Sequence, residues 1–144
     1  MKTENNKFFE ELNKKIATKL FKYVLVEEDE NIYCLKKTKD KEKIILPDYI
    51  GVTENTYKIV EYLKNKKNCE VFIGYTKIPD KGVVWNTKIK NNNNNVVYES
   101  GITDNMNLSV VLATLKFLEN EKMLEKNRKE PDNLIYLGDK LNKK

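Results

Sequence analysis

The sequence predicts an α+β fold in which an antiparallel sheet is covered by helices, as an α-β-α sandwich in the approximate order α-ββ(β)-α-βββ-α. Three segments carry apolar residues at the three- and four-residue spacing of a helix that buries one face. Between them lie short β-type runs bounded by polar, proline and glycine turns. Because tight turns join antiparallel strands, we expect a meander rather than a parallel sheet.

The three helices are predicted from their apolar stripes. The first covers residues 8–23, the second residues 53–63, and the third begins after residue 104. Thr53 and Asp104 stand just before the last two stripes, and threonine and aspartate are favoured N-caps. The third stripe is the broadest of the three, so this helix is expected to be buried deeply.

The strands are predicted from β-type spacing and turn residues. Residues 23–35 are predicted to form a hairpin around a polar turn. The charged run 36–43 is expected to be a solvated loop or strand end, after which residues 44–46 return to the core. Strands at 69–76, 82–89 and 96–100 follow. Pro79-Asp80-Lys81-Gly82 and the asparagine run 91–95 are the turns that join them.

Length and composition predict one domain with an extension. A chain of 144 residues with 40% hydrophobic and 34% charged residues has enough apolar side chains for one core. We assign residues 1–120 to the domain and 121–144 to a charged C-terminal extension, with Pro131 ending the last helix. The apolar patch 134–137 needs a covering surface, which predicts a homo-oligomer.

Several kinds of catalytic site are excluded by residues that the chain lacks. It contains no histidine, so Ser-His, Cys-His and zinc-deaminase sites cannot form. Cys34 and Cys69 are too far apart in sequence for a C-x-x-C pair, which argues against a structural zinc site. The five glycines form no phosphate-binding loop. We therefore expect no metal and no cofactor.

Carboxylates at element ends are the remaining candidates for catalysis. These are Asp48, Asp80, Glu99 and Asp104, and turn formation or capping accounts for each of them. Because nothing in the sequence pairs them, a binding role without catalysis is the favoured interpretation.

The charge pattern bears on partners. The formal net charge is +5, and 26 of the 27 basic residues are lysine, with Arg128 as the single arginine. Base readout in DNA favours the bidentate arginine fork, so sequence-specific DNA binding is not expected. No segment approaches the roughly 18 apolar residues that cross a bilayer, and the N-terminus lacks a signal-peptide run, so we expect no membrane and a cytoplasmic location.

One aromatic and cationic constellation predicts a ligand site in the meander. Its members are Tyr75, Lys77, Trp85, Lys88 and Tyr98, with Lys81 and Lys90 nearby. Aromatic faces stack on bases while lysines neutralise phosphates, which is suitable chemistry for a nucleotide. The alternative is that Trp85 belongs to the core.

A second candidate lies at the junction before the second helix. Tyr49 follows Pro47 there, and Asn55 lies in the first helical turn, whose amides can receive an anion. We include both residues among the candidate ligand contacts, although Thr53 is expected to serve as a cap.

Four elements form a recognisable combination over residues 10–120. They are residues 12–23 as the opening helix, Pro47-Asp48-Tyr49 before the second helix, Val71-Phe72-Ile73 in the middle strand, and residues 108–115 as the closing helix. In this combination the chain resembles the phage ABA sandwich domain family of small phage and prophage proteins.

The resemblance implies a phage or prophage origin and no known enzymatic mechanism. Small phage proteins of this kind act against host defence, which suggests an oligomeric sponge that sequesters a nucleotide-derived immune signal in the host cytoplasm. The alternative is an inhibitor that covers a host defence complex or nuclease, in the manner of an anti-CRISPR protein. A nonspecific nucleic-acid binder is a third hypothesis.

Overall fold

The computed structural model describes residues 4–35 and 43–135, with side chains described for 6–35 and 43–123. In this part of the chain three helices and two antiparallel three-stranded sheets form an α+β fold in the predicted order. The sequence predicts one sheet covered by helices, and the structure has two separate three-stranded sheets instead. Residues 36–42 of the charged run lie outside the described residues, and Lys43, its last residue, begins the strand Lys43–Ile45.

The N-terminal half contains the first helix and the first sheet. Helix α1 (Glu4–Lys15) continues into a wider π-helical turn (Ile16–Leu20), and the strands β1 (Val24–Glu28), β2 (Asn31–Leu35) and β3 (Lys43–Ile45) pair in that order. The β1–β2 turn places both Asp29 and Glu30 at positive φ. This conformation suits the right-handed twist of a two-residue hairpin loop, so the predicted hairpin is confirmed.

The C-terminal half contains the second sheet between two helices. Helix α2 (Thr53–Lys66) precedes β4 (Cys69–Ile78), β5 (Gly82–Asn91) and β6 (Val96–Glu99), and α3 (Met106–Ile135) follows. Strands β4 and β5 pair along their whole length, and β5 also pairs with β6. Beyond β6, the N–H groups of Trp85 and Thr103 each donate to the other residue's carbonyl, at 2.6 and 3.0 Å. The predicted meander is confirmed.

Three predicted helix boundaries are wrong. Thr53 is the first residue of α2 rather than its cap, and the preceding Val52 makes no side-chain cap. Asn105 caps α3 in place of Asp104, because its Oδ1 accepts the Leu108 N–H at 3.0 Å. Helix α3 also continues past Pro131, where the proline leaves one carbonyl of the preceding turn without its usual N–H partner.

The C-terminal extension begins as a continuation of α3. This helix crosses the predicted boundary at residue 120 and is described to Ile135. The side chains of the patch 134–137 lie outside the described residues, so the oligomer expected from that patch stays a prediction. None of the described helices is long and apolar enough to span a membrane.

The core lies where α3 meets the second sheet, α2 and the π-helical turn. Helix α3 packs on β5 and β6, and its Val110, Val111 and Phe117 are almost completely buried. The deep burial predicted for this helix is confirmed. Ile89 of β5 is fully buried with them, as are Ile16, Leu20, Ile59 and Leu63 from the other helices.

A buried polar link attaches α1 to the segment that precedes α2. The Tyr49 N–H donates to Asn13 Oδ1 at 2.9 Å, and Thr56 Oγ1 donates to the Tyr49 carbonyl at 2.6 Å. Asn13 is 6% exposed. Water therefore cannot easily replace the Asn13 oxygen as the acceptor for this N–H.

Replacing Asn13 by alanine is expected to lower the free energy of unfolding by about 1–3 kcal/mol, because the buried Tyr49 N–H loses its acceptor. Urea denaturation measures this change. Asn65→Ala, at an exposed position of α2, is the matched control and should change stability by less than about 0.7 kcal/mol. Equal effects of the two variants would contradict the importance of the link.

Candidate ligand-binding cleft

A cleft of about 420 Å³ opens on the second sheet around Gly74. We call it the Gly74 cleft. Strands β4 and β5 form its lining together with Ile102, which follows β6. The lining includes Phe72, Gly74, Tyr75, Trp85, Asn86, Lys88 and Ile102.

The cleft exists because two facing positions leave space above the sheet. Gly74 pairs with Asn86 and has no side chain. The Asn86 side chain bonds toward β6, since its Nδ2 donates to Glu99 Oε1 at 3.0 Å and its Oδ1 accepts the Gly101 N–H at 3.1 Å. A Cβ added at Gly74 would meet nothing closer than the Asn86 carbonyl at 3.8 Å. A larger residue at 74 would therefore fill the cleft without a backbone clash.

Two aromatic rings lie together in the lining. Tyr75 and Trp85 are direct partners across β4 and β5, with ring centroids 5.2 Å apart. Tyr75 is 68% exposed, and Trp85 is partly buried and lies outside the cluster of fully buried core residues. The alternative that Trp85 is a core residue is therefore not what the structure shows.

Lys88 supplies a positive charge at the cleft. It lies opposite Phe72 on β4 and Glu99 on β6, and it is exposed. Within the described residues no carboxylate lies within 4 Å of its Nζ, whereas Lys90 approaches Glu70 at 4.0 Å. Lys88 can therefore offer its charge to an anion without breaking an ion pair.

The alternation of side chains divides the lining between the two faces of the sheet. Lys88 and Phe72 belong to the outer face, which none of the described helices covers, while Tyr75 and Trp85 share the register of Ile73 and Thr87 on the other face. The cleft touches residues of both sets. A ligand bound there would contact the β4 edge, with the Tyr75–Trp85 pair on one face of the sheet and Lys88 on the other.

The structure does not bring Tyr49 or Asn55 to this cleft. Tyr49 is 2% exposed, and its ring stacks on Phe21 at 5.7 Å. Asn55 Nδ2 donates to the Asp48 carbonyl at 3.1 Å. Asp48 Oδ1 accepts the N–H groups of Ile50 and Gly51 just before α2, and the Asn55 N–H in the first turn of α2 donates to the Val52 carbonyl. This junction has a structural role.

Two other predicted contacts also lie apart from the lining. The Tyr98 hydroxyl donates to Asn120 Oδ1 at 2.7 Å, and its ring meets Phe117 edge-on, so Tyr98 faces α3. Lys77 is exposed two residues beyond Tyr75 and is not part of the cleft wall. Of the seven candidate residues, the structure therefore assembles Tyr75, Trp85 and Lys88.

Sequence reasoning missed Phe72, Gly74, Asn86 and Ile102. A glycine inside a strand pattern marks a close approach or an unfilled position, and Gly74 in the middle of β4 carried that signal. The contribution of Ile102 could not be read from the sequence. It depends on the chain leaving β6 and returning to bond with Trp85.

The described residues form no metal site, and both cysteines are buried. They contain no group of three or more histidine, cysteine or carboxylate side chains able to hold a metal. Burial raises the pKa of the Cys34 thiol, and it raises the pKa of Cys69 from its ordinary 9.0 to about 11. Both cysteines are free, buried and protonated at neutral pH, which makes them poor nucleophiles.

No family model, curated protein or solved structure matches this chain. The site is therefore interpreted from its own geometry.

The free energy of unfolding is expected to fall as the pH rises above about 9. The folded state holds the buried Cys34 and Cys69 thiols protonated, and burial also raises the pKa of the Tyr49 hydroxyl. Each group ionises more easily in the unfolded chain. Between its unfolded and its folded pKa, each group therefore lowers the free energy of unfolding by about 1.4 kcal/mol per pH unit. The stability contributed by the two thiols is complete below pH 9 and declines above it, whereas that of Tyr49 declines only above pH 10, the ordinary pKa of its hydroxyl.

Urea titrations between pH 8 and 11 measure this dependence. Cys69→Ala should reduce its slope, whereas the exposed control Tyr57→Phe should leave it unchanged. A stability independent of pH in this interval would contradict the burial of these groups.

Proposed function

We propose that this chain is a phage protein that sequesters a nucleotide-derived immune signalling molecule in the host cytoplasm, without turning it over. The ligand lies in the Gly74 cleft. The observation that carries the proposal is the assembly of Tyr75, Trp85 and Lys88 around one opening. The resemblance to the phage ABA sandwich domain family suggests the biological setting.

The size and chemistry of the cleft support a nucleotide-type ligand. Clefts that take small molecules enclose roughly 300–1,000 Å³, and the Gly74 cleft falls within this range at about 420 Å³. The exposed ring of Tyr75 and the adjoining Trp85 offer aromatic surface to a base. Lys88 offers a cation to a phosphate.

Binding without turnover is favoured because no described group at the cleft is arranged as an acid, a base or a nucleophile. Glu99, the nearest carboxylate in the register, accepts a hydrogen bond from Asn86. The chain has no imidazole. The Glu99 carboxylate is therefore engaged within the sheet and is not presented to a ligand as a general base.

Exposed apolar side chains favour a second candidate function. Phe72, Val97 and Ile102 are 52%, 48% and 70% exposed on or beside the uncovered outer face. An inhibitor that covers a host defence complex or nuclease would use such a surface. This candidate predicts capture of one host protein and no response to nucleotides.

Thermal denaturation with a panel of cyclic dinucleotides and ADP-ribose derivatives tests the proposal. One member should raise the melting temperature increasingly with its concentration, because a ligand that binds only the folded state stabilises it by mass action. Tyr75→Ala should weaken its affinity about 5- to 150-fold, the equivalent of a lost base stack. Lys88→Gln should weaken it as well.

Two variants away from the cleft serve as matched controls. Tyr57→Ala removes an exposed tyrosine of α2, and Lys116→Gln removes an exposed lysine of α3. Neither should change the affinity. If no member of the panel shifts the melting temperature, the proposed function is wrong.

A further inference from the structure

Strand β4 is a long edge strand. It spans ten residues and pairs with β5 along one side. Among the described residues, no other segment hydrogen bonds to the backbone on its opposite side between Glu70 and Lys77. This free edge can accept another strand.

The backbone groups that face the free edge follow from the ladder pattern. The Asn92 N–H donates to the Asn68 carbonyl at 3.0 Å, just before the first β4–β5 pair, and Trp85 exchanges both its bonds with Thr103 on the far side of β5. Bonded and non-bonded pairs alternate in an antiparallel ladder. The N–H and C=O groups of Val71, Ile73 and Tyr75 therefore point away from β5.

The middle of β4 lacks the features that usually protect an edge. Proteins guard edges with short strands, central charges, prolines or bulges. The edge strands β1, β3 and β6 have five, three and four residues. Residues 71–76 of β4 contain no charge and no proline, and Phe72 and Tyr75 are 52% and 68% exposed.

We propose that β4 pairs with β4 of a second copy of this chain, antiparallel about a two-fold axis at Ile73. The outward groups of Ile73 then bond to those of the second copy's Ile73, and Val71 bonds to its Tyr75. Because the outward backbone groups belong to odd-numbered residues, two-fold symmetry must pair odd-numbered residues with odd-numbered ones. Only axes at Ile73 and Gly74 meet this condition while pairing nine of the ten β4 residues. The choice between these axes depends on the side chains.

The axis at Ile73 places Phe72 of each copy opposite Gly74 of the other. This is a non-hydrogen-bonded pair, in which facing side chains approach most closely. An aromatic ring over a strand glycine covers exposed backbone, and both rings would be placed at once. An axis at Gly74 would instead set two glycines face to face and leave both positions empty.

The charges are compatible with the same register. Glu70 lies opposite the second copy's Thr76, and Lys77 lies opposite its Cys69, so no like charges face each other. The fit of a strand to itself, with Phe72 and Gly74 two residues apart, identifies the occupant as a second copy rather than a different peptide.

This pairing goes beyond the proposed function, because backbone groups carry it whether or not a ligand is bound. It would join the second sheet of each copy into one six-stranded sheet. The second copy's Phe72 would cover each Gly74 and occupy part of the Gly74 cleft.

Sedimentation equilibrium and amide hydrogen exchange of the full chain, both without nucleotide, test the dimer. We expect a monomer–dimer equilibrium in which the amides of Val71, Ile73 and Tyr75 exchange more slowly as protein concentration rises. Phe72→Lys should raise the dimer dissociation constant by roughly tenfold or more. Val97→Lys is the matched control, since Val97 has similar exposure on the same face but lies on β6.

A protein that is monomeric at all concentrations would overturn the proposal. So would a dimer whose Val71, Ile73 and Tyr75 amides exchange as fast as in dilute solution, since association would then use another surface, such as the patch 134–137. Neither result bears on the nucleotide panel. A dimer with no nucleotide response would contradict the proposed function alone.

Discussion

The packing of α3 on one face of β5 determines which surfaces of this protein remain open. Thr87 and Ser109 share a 2.7 Å hydrogen bond between fully buried hydroxyls, and Ile89 packs beside them against the same helix. Because side chains alternate along a strand, burying these residues sends Lys88 and its neighbours on β4 to the opposite face. No described helix covers that face.

Gly74 connects the two proposals. Its missing side chain opens a cleft beside Tyr75 and Trp85, and it also leaves a position at the free edge of β4 that Phe72 of a second copy fits. We propose that the cleft binds a nucleotide-type ligand. The edge is suited to a strand. Both properties depend on a ten-residue ladder that extends beyond the region covered by the helices.

Periodicity was sufficient to predict the order of helices and strands, because the helices and β5 bury apolar residues at regular spacing. The prediction that residues 44–46 return to the core is wrong for Ile44 and Ile45, which are 37% and 65% exposed because all three residues of β3 lie at the surface. Cap positions were less secure. Asp104 and Asn105 are adjacent residues that both suit a cap, and only the Asn105 bond to Leu108 distinguishes them. The continuation of α3 through Pro131 could not be derived from a local rule that prolines end helices.

The candidate site was predictable only in part. Tyr75, Trp85 and Lys88 lie on two adjacent strands of a hairpin, so their proximity followed from local pairing. Tyr49 and Tyr98 lie apart from the Gly74 cleft because each is held by a residue distant in sequence. The Tyr49 N–H donates to Asn13, and the Tyr98 hydroxyl donates to Asn120 of α3. A tyrosine that satisfies its backbone or hydroxyl in the core has the same sequence appearance as one that binds a ligand.

Intrinsic fluorescence gives the most direct test of the cleft, because Trp85 is the single tryptophan of the chain. Titrating the nucleotide panel, with free tryptophan amide as the correction for absorbance, should reveal one ligand that changes the emission saturably. The Lys88→Gln variant should shift that titration to higher concentration. Emission that stays constant at saturating concentrations of every member would contradict ligand binding at the Gly74 cleft.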